Sequence, residues 1–149
     1  AHTHLLNRDD ALGTCLRSYF YISIDEMFRL PPTPTDEEYC AANNIHSPSY
    51  IPGHQLAVLV AVRFAEVALG AIVHNEVNLA MELCNAVVHC LQESVKQKVE
   101  PPVIYEVAKA YFLLGVFRAY RGDMTRYFKY RRVCLTYLSK LPVSYTDAF

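Results

Sequence analysis

Residues 105–140, YEVAKAYFLLGVFRAYRGDMTRYFKYRRVCLTYLSK, decide the fold class. Their apolar side chains recur at helical spacing in two runs, which Arg121-Gly122-Asp123 separates. Glycine readily takes the left-handed conformation that ends a helix, and aspartate is a favoured N-cap for the next one. The stretch therefore predicts two helices packed as a hairpin. Because this turn explains the Arg-Gly-Asp tripeptide, we do not interpret it as an adhesion motif.

The overall composition is typical of one domain with a sizeable core. The chain has 149 residues, 52% of them apolar, and a formal net charge of −1, which gives no general attraction to nucleic acid or to an anionic membrane. Arg63 and Glu66 interrupt the most apolar run before it reaches about 18 uncharged residues. We expect residues 1–149 to form a single domain, a fragment of a larger protein, with no membrane contact and no direct nucleic-acid contact.

The cysteines and histidines indicate no redox or metal chemistry. The five cysteines are odd in number and form no CxxC pair, which disfavours a disulfide framework and a zinc site. Three of them lie in apolar helical runs, where a free thiol behaves as a small apolar side chain. No HxxxH or HExxH spacing occurs. We predict an intracellular, reducing compartment, no metal and no cofactor.

The first third of the chain predicts one helix and a long connection. Residues 7–30 have helical spacing, with Asn7 or Asp9 as the cap. Residues 31–53 are rich in proline, which excludes a continuous helix, but they contain a short helix over Asp36–Ala42 with Thr35 as its cap. A connection of this length needs contacts with the core. Its expected anchors are Tyr39, Ile45, Tyr50 and Ile51.

Residues 54–74 predict a helix that is apolar almost all round. Either it is the central core helix, or part of it contacts another chain or a hydrophobic ligand. Arg63 and Glu66 lie three residues apart and are able to pair on its surface.

Three more helices complete the prediction. Asn78 is the expected cap of a helix that runs to about Lys98. Pro101 and Pro102 begin the next helix, because proline is tolerated in the first helical turn. The last helix runs over residues 123–141. The sequence thus predicts an all-α fold of about five main helices.

The two helix pairs match each other at an offset of 45 residues. Leu69-Gly70 matches Leu114-Gly115, and the cap Asn78 matches the cap Asp123. Small residues at matched positions let two helices approach closely, as in stacked helical hairpins. The pattern resembles tetratricopeptide repeats, with Leu114-Gly115 at that family's Leu-Gly position, Gly122 in its inter-helix turn and Cys134 at a small-residue site. This resemblance implies two stacked hairpins, with the first helix and the Pro-rich connection packed across them.

Residues 55–141 also resemble the middle homology (regulatory) region of fungal zinc-cluster transcription factors. VRFAEVALGAIVHNEVNLAMELCNAVVHCLQESV, a Pro-Pro start and then VAKAYFLLGVFRAYRGDMTRYFKYRRVCLTYLSKL follow that family's order of helices. The chain has no six-cysteine DNA-binding cluster, and its last helix is richer in aromatic residues than the family's. The resemblance implies the regulatory domain of a transcriptional regulator, in the nucleus.

The last helix carries the candidate binding residues. Residues 118–140 hold seven of the fourteen Lys and Arg, interleaved with tyrosines. They form either a surface for an acidic partner with stacking aromatic rings, or a solvated face whose tyrosines pack inward. Arg126 and Lys129 share a helix face, whereas Arg131 lies elsewhere. For an acidic partner we select Arg118, Arg121, Arg126, Lys129 and Arg132. For an apolar contact we select Tyr111, Tyr127 and Tyr130.

No enzymatic signature is present. No Gly-rich elbow precedes a Ser or Cys, and five isolated glycines form no phosphate loop or dinucleotide motif. We therefore expect a non-enzymatic protein-interaction or regulatory domain, which docks an acidic or amphipathic partner segment or forms a homodimer. The alternative is a binding domain for a small apolar ligand. In that case a cavity above about 300 Å³, lined by Tyr and Phe, lies between the central helix and the aromatic final pair.

Overall fold

The computed structural model describes residues 11–20 and 33–142, and this part of the chain is all-α. The elements in chain order are α1 (Ala11–Phe20), α2 (Asp36–Ala42), a 3₁₀ turn (Pro48–Tyr50), α3 (Gly53–Val73), α4 (Val77–Ser94), α5 (Pro101–Tyr120) and α6 (Met124–Leu138). The all-α prediction is confirmed. Helix α1 agrees with the predicted first helix, whose caps Asn7 and Asp9 and whose residues 21–30 lie outside the described residues.

Two antiparallel hairpins form the body of the fold. Helix α3 packs along α4, α5 packs along α6, and the first helices of the two hairpins, α3 and α5, pack on each other. Helix α1 covers another side of α3. Helix α3 is therefore the central element, surrounded by three others.

This central position explains why α3 is apolar all round. Fourteen of its 21 residues are buried, so of the two alternatives for this helix, the central core helix is correct. By length and composition alone, α3 is the one helix in the described part of the chain that could cross a membrane. In the fold, 72% of its most apolar 18-residue window is buried among the other helices.

The Pro-rich connection is held by the predicted cap and by two apolar anchors. The backbone N–H of Glu38 donates to Thr35 Oγ1, and the backbone N–H of Thr35 donates to the Glu38 carboxylate, both over 3.1 Å. Tyr39 and Ile51 are buried, and Ile45 packs at the edge of the core. Tyr50 is 68% exposed, so its prediction as an anchor is wrong: the 3₁₀ turn leaves its ring in solvent beside His46.

Arg63 and Glu66 do not pair with each other. The Arg63 guanidinium donates to Asp36 over 2.6 Å, whereas the Glu66 carboxylate lies 3.5 Å from Arg17. Both side chains are partly or fully buried, where partners on neighbouring elements compensate lost hydration better than an exposed pair of local charges does. The two ion pairs join α3 to α2 and to α1.

The turn between α5 and α6 agrees with the prediction, whereas the cap predicted after the break at Asn75 is wrong. Gly122 has a φ of +77°, and the Asp123 carboxylate accepts the backbone N–H of Arg126 over 3.1 Å. In the first hairpin, however, Asn75 takes the left-handed conformation, with a φ of +65°, and α4 begins at Val77. Asn78 is therefore inside the helix and is not its cap.

The structural offset between the hairpins follows from these turns. Asn75 corresponds to Gly122, which gives an offset of 47 residues instead of 45. Since successive residues are about 100° apart, a shift of two residues rotates a position by about 200° around a helix. Gly70 and Gly115, matched in the sequence, therefore lie on opposite faces of their helices.

The two glycines accordingly serve different contacts. A Cβ on Gly70 would collide with the main-chain carbonyl of Leu16, so this glycine lets α1 approach α3. A Cβ on Gly115 would lie 3.7 Å from the Tyr127 ring, an ordinary contact with α6. Of these two glycines, only Gly70 is needed for the close approach of two helices, α1 and α3.

Candidate docking groove

Helix α6 presents apolar side chains to the core and also to solvent. Tyr130, Cys134 and Leu138 are buried against α5. An adjacent face, about 100° around the helix, carries three large apolar side chains that are about half exposed: Met124 (46%), Phe128 (53%) and Leu135 (49%). Positions 124, 128 and 135 fall within about 40° of one another around the helix. These three side chains share one face of the helix, and we call them the outer stripe.

An open groove of about 490 Å³ lies beside this stripe, between α5 and α6. Helix α5 contributes Tyr111, Phe112, Gly115, Val116 and Ala119. Helix α6 contributes Met124, Tyr127, Arg131, Cys134, Leu135 and Leu138. Arg131 is the one charged side chain among these lining residues, so the groove is apolar with a single cation.

A tyrosine cluster fixes the inner end of the groove. The Tyr111 ring stacks on Tyr137 at 8° between planes, and its centroid is 6.0 Å from those of both Tyr137 and Tyr130. Burial, reinforced by the neighbouring phenols, raises the pKa of Tyr111 to about 12, so its hydroxyl stays neutral. Of the predicted apolar contact residues, Tyr111 and Tyr127 line the groove, whereas Tyr130 is buried within the hairpin.

Arg118 does not belong to the exposed basic surface. It is 8% exposed, its guanidinium lies over the Phe117 ring, and Nη1 is 4.0 Å from the Asp123 carboxylate. The prediction that Arg118 lies on the exposed docking surface is therefore wrong. Its buried side chain links the end of α5 to the turn. Arg121, in the same turn, is exposed.

The remaining selected cations lie around α6 but outside the groove. Arg126 is about 200° around the helix from Met124 and donates to Asp123 over 2.8 Å, and this bond lowers the Asp123 pKa. Lys129 lies about 140° from Met124, so neither cation lines the groove. Arg132 is exposed at the border of the outer stripe.

Arg131 is the groove residue that the sequence analysis set aside. It follows Met124 by seven residues, which is almost two full turns, and therefore falls on the face of the outer stripe. The signal was available in the sequence, because its neighbours three and four residues away are Tyr127, Phe128, Cys134 and Leu135. A cation whose neighbours three and four residues away are all apolar or aromatic lies on an apolar face of the helix. A cation on a solvated face has polar neighbours at those positions.

Charge is divided unevenly between the second hairpin and the rest of the chain. Residues 101–142 contain eight of the fourteen Lys and Arg but two of the fifteen Asp and Glu, a net charge of +6. The rest of the chain, with six cations and thirteen anions, carries −7. Within Met124–Leu138 there are four cations and no anion. The surface around the groove is therefore positive although the chain is nearly neutral.

A cluster of charged and polar side chains is buried between α3 and α5, and the sequence analysis did not predict it. Glu66, Glu106 and Lys109 are at most 6% exposed, and Lys109 Nζ donates to Thr33 Oγ1 over 3.0 Å. Desolvation raises the Glu106 pKa to about 7 against the opposing effect of Lys109, and Glu106 Oε2 has no hydrogen-bond partner within the described residues. The cluster connects α3, α5 and the start of the Pro-rich connection. Charged residues inside apolar helical runs are the sequence signal for it.

Neither metal ligation nor a known relative identifies a site. Within residues 11–20 and 33–142, no three His, Cys, Asp or Glu side chains are placed to hold a metal ion. Comparison with protein-family models, curated proteins and solved structures gave no match.

Proposed function

We propose that this chain is a non-enzymatic protein-interaction domain that docks an acidic, amphipathic helix in the groove between α5 and α6. The observation that carries the proposal is the outer stripe: Met124, Phe128 and Leu135 remain about half exposed beside an open apolar groove. Contiguous apolar surface of this kind on a folded domain typically marks an interaction site.

The repeat architecture supports a helix as the occupant. At the structural offset of 47, Phe112, Val116 and Ala119 on α5 correspond to Ala65, Leu69 and Ile72 on α3. The three α3 residues are buried, whereas the three α5 residues are only partly buried. In stacked repeats, each unit buries its open face against a neighbouring element. A partner helix in the groove would cover the three α5 residues, just as neighbouring elements of the fold cover the three corresponding residues of α3.

Charge supports an acidic partner over a homodimer. In a two-fold symmetric dimer through the outer stripe, two helices with four cations and no anion each would face one another, which is unfavourable. An acidic segment is attracted to the same surface. The resemblance to the middle homology region adds the proposal that the domain regulates a transcriptional regulator in the nucleus.

A small apolar ligand is the second candidate, because the groove volume exceeds the roughly 300 Å³ expected of a ligand site and the lining includes Tyr111, Phe112 and Tyr127. The cavity lies within the final hairpin and not between α3 and that hairpin, where the alternative placed it. Its openness along the outer stripe suits an elongated occupant better than an enclosed small molecule.

Selection from a displayed library of helical peptides tests the proposal. We expect enriched peptides to bind the wild-type domain and to lose at least tenfold in affinity to Phe128→Asp, because a carboxylate in the outer stripe opposes an acidic, apolar partner. Tyr50→Asp is the control, since Tyr50 is also an exposed aromatic side chain (68%, against 53% for Phe128) but lies on the 3₁₀ turn. Peptides that bind Phe128→Asp as well as wild type would refute the groove as the docking site. Native mass spectrometry of the purified domain would reveal a retained small ligand.

A further inference from the structure

We infer that Arg131 selects the partner by charge: the docked helix must carry a carboxylate near its middle, within its apolar stripe. This inference rests on the proposed function and specifies the recognition at that same site. It distinguishes Arg131 from Arg126 and Lys129, which share its helix but not its face.

The surroundings of Arg131 are the first argument. Tyr127, Phe128, Cys134 and Leu135 occupy the four positions three and four residues away, where a helical neighbour would supply a counter-charge. Among residues 11–20 and 33–142 no carboxylate pairs with Arg131, so any helix that covers the outer stripe removes water from a guanidinium that has no counter-charge in this part of the chain. Burying an unpaired charge is unfavourable, whereas a carboxylate on the partner restores both the charge balance and the hydrogen bonds.

The second argument is that neither carboxylate of the second hairpin, residues 101–142, is placed to pair with Arg131. The two acidic residues of this hairpin are Glu106 and Asp123. Glu106 is buried in the cluster near α3, and Asp123 bonds Arg126 over 2.8 Å. Arg131 therefore rejects partners that are merely apolar or basic, including α6 of a second copy, which contains no anion.

The position of Arg131 predicts where the carboxylate lies. Met124 and Leu138 mark the two ends of the groove on α6, and Arg131 lies seven residues from each. At 1.5 Å per residue, the groove extends about 21 Å along α6 and about 12 Å along α5, from Tyr111 to Ala119. It fits a helix of roughly two to four turns. The expected partner has apolar residues on both sides of one central Asp or Glu.

Three parallel selections from the same helical-peptide library test this inference, against the wild-type domain, Arg131→Glu and Lys129→Glu. We expect wild type and Lys129→Glu to enrich peptides with a central Asp or Glu, and Arg131→Glu to enrich Lys or Arg at that position. A wild-type peptide should bind Arg131→Glu at least tenfold more weakly, and changing its central carboxylate to Lys should restore that binding. Lys129→Glu matches the charge change but lies outside the groove.

The outcomes separate this inference from the proposed function. Enriched peptides that depend on Phe128 but show no preference for a central Asp or Glu would refute charge selection by Arg131. The same holds if Arg131→Glu does not invert that preference. In both cases the groove would remain the proposed docking site. If no enriched peptide depends on Phe128, both proposals fail. A dimer in native mass spectrometry that Phe128→Asp abolishes would identify a second copy as the occupant and overturn the inference.

Discussion

The outer helices of the two hairpins, α4 and α6, occupy equivalent places and differ in what they show to solvent. The exposed face of α4 is polar, with Glu82, Asn85 and His89, and no large apolar side chain of α4 is exposed. The exposed face of α6 combines an apolar stripe with cations. Because α4 packs on α3 with a polar exposed face, an outer helix of this fold does not need an apolar exposed face in order to pack. The contrast supports the proposal that the partner docks on the second hairpin.

The largest expected difference in stability is between the two matched glycines. Gly70→Ala places a Cβ on the Leu16 main chain, so α1 has to move, and we expect a loss of about 3 kcal/mol in the free energy of unfolding. Gly115→Ala meets an ordinary contact and gains helix propensity, so it should be neutral or stabilising by up to about 1 kcal/mol. Urea denaturation of both variants measures this. Similar losses at both sites would contradict the opposite orientation of the glycines.

The next effect concerns the buried carboxylates of the two first helices. The Glu106 pKa is raised from 4.5 to about 7, so the folded state binds this proton more tightly than the unfolded state does. The free energy of unfolding should therefore fall as pH rises from about 4.5 to about 7, by on the order of 3 kcal/mol in all. Glu106→Gln should remove this dependence and stabilise the protein at pH 8.

Glu66→Gln is the companion variant for that measurement, and because the Glu66 charge helps to raise the Glu106 pKa, it should reduce the pH dependence without removing it. It removes the charge that faces Arg17, and should destabilise the protein at pH 8 instead. Denaturation curves between pH 4 and pH 8 compare the variants. If the pH dependence between 4.5 and 7 is unchanged in Glu106→Gln, the raised pKa belongs to another group.

The smallest expected effect compares the two turns. Asp123→Ala removes the cap of α6, and should lower the unfolding midpoint by on the order of 3 °C. Glu76→Ala, at the equivalent place before α4, should change the midpoint by less than about 1 °C, because the Glu76 side chain makes no capping bond. Thermal unfolding followed by circular dichroism suffices. Equal shifts would show that the caps do not distinguish the hairpins.

Local signals in the sequence were sufficient where the structure depends on one residue and its near neighbours. The Thr35 cap, the Pro-led start of α5 and the Gly122-Asp123 turn are of this kind. The break after residue 74 was predicted, but Asn78 as the cap and the offset of 45 were wrong, because the offset rested on matched glycines and a two-residue error reverses the helix face. Tertiary ion pairs such as Arg63 with Asp36 have no local signal at all.

The candidate site was predictable in part. The composition of α6 drew attention to the right helix, but a count of cations does not separate Arg131 from Arg126 and Lys129. Only the helical phase relative to the outer stripe does so. The exposure of that stripe depends on how α5 and α6 pack, which residue spacing alone does not determine.

Mapping a bound peptide on the domain tests the central claim most directly. In an ¹⁵N-labelled sample titrated with a selected acidic peptide, we predict that the largest amide shift changes occur at Phe112 and Val116 on α5 and at Phe128, Arg131 and Leu135 on α6, with α4 unaffected. Binding whose largest changes lie on α4 or on the α3–α4 turn would contradict the assignment of the docking function to the second hairpin.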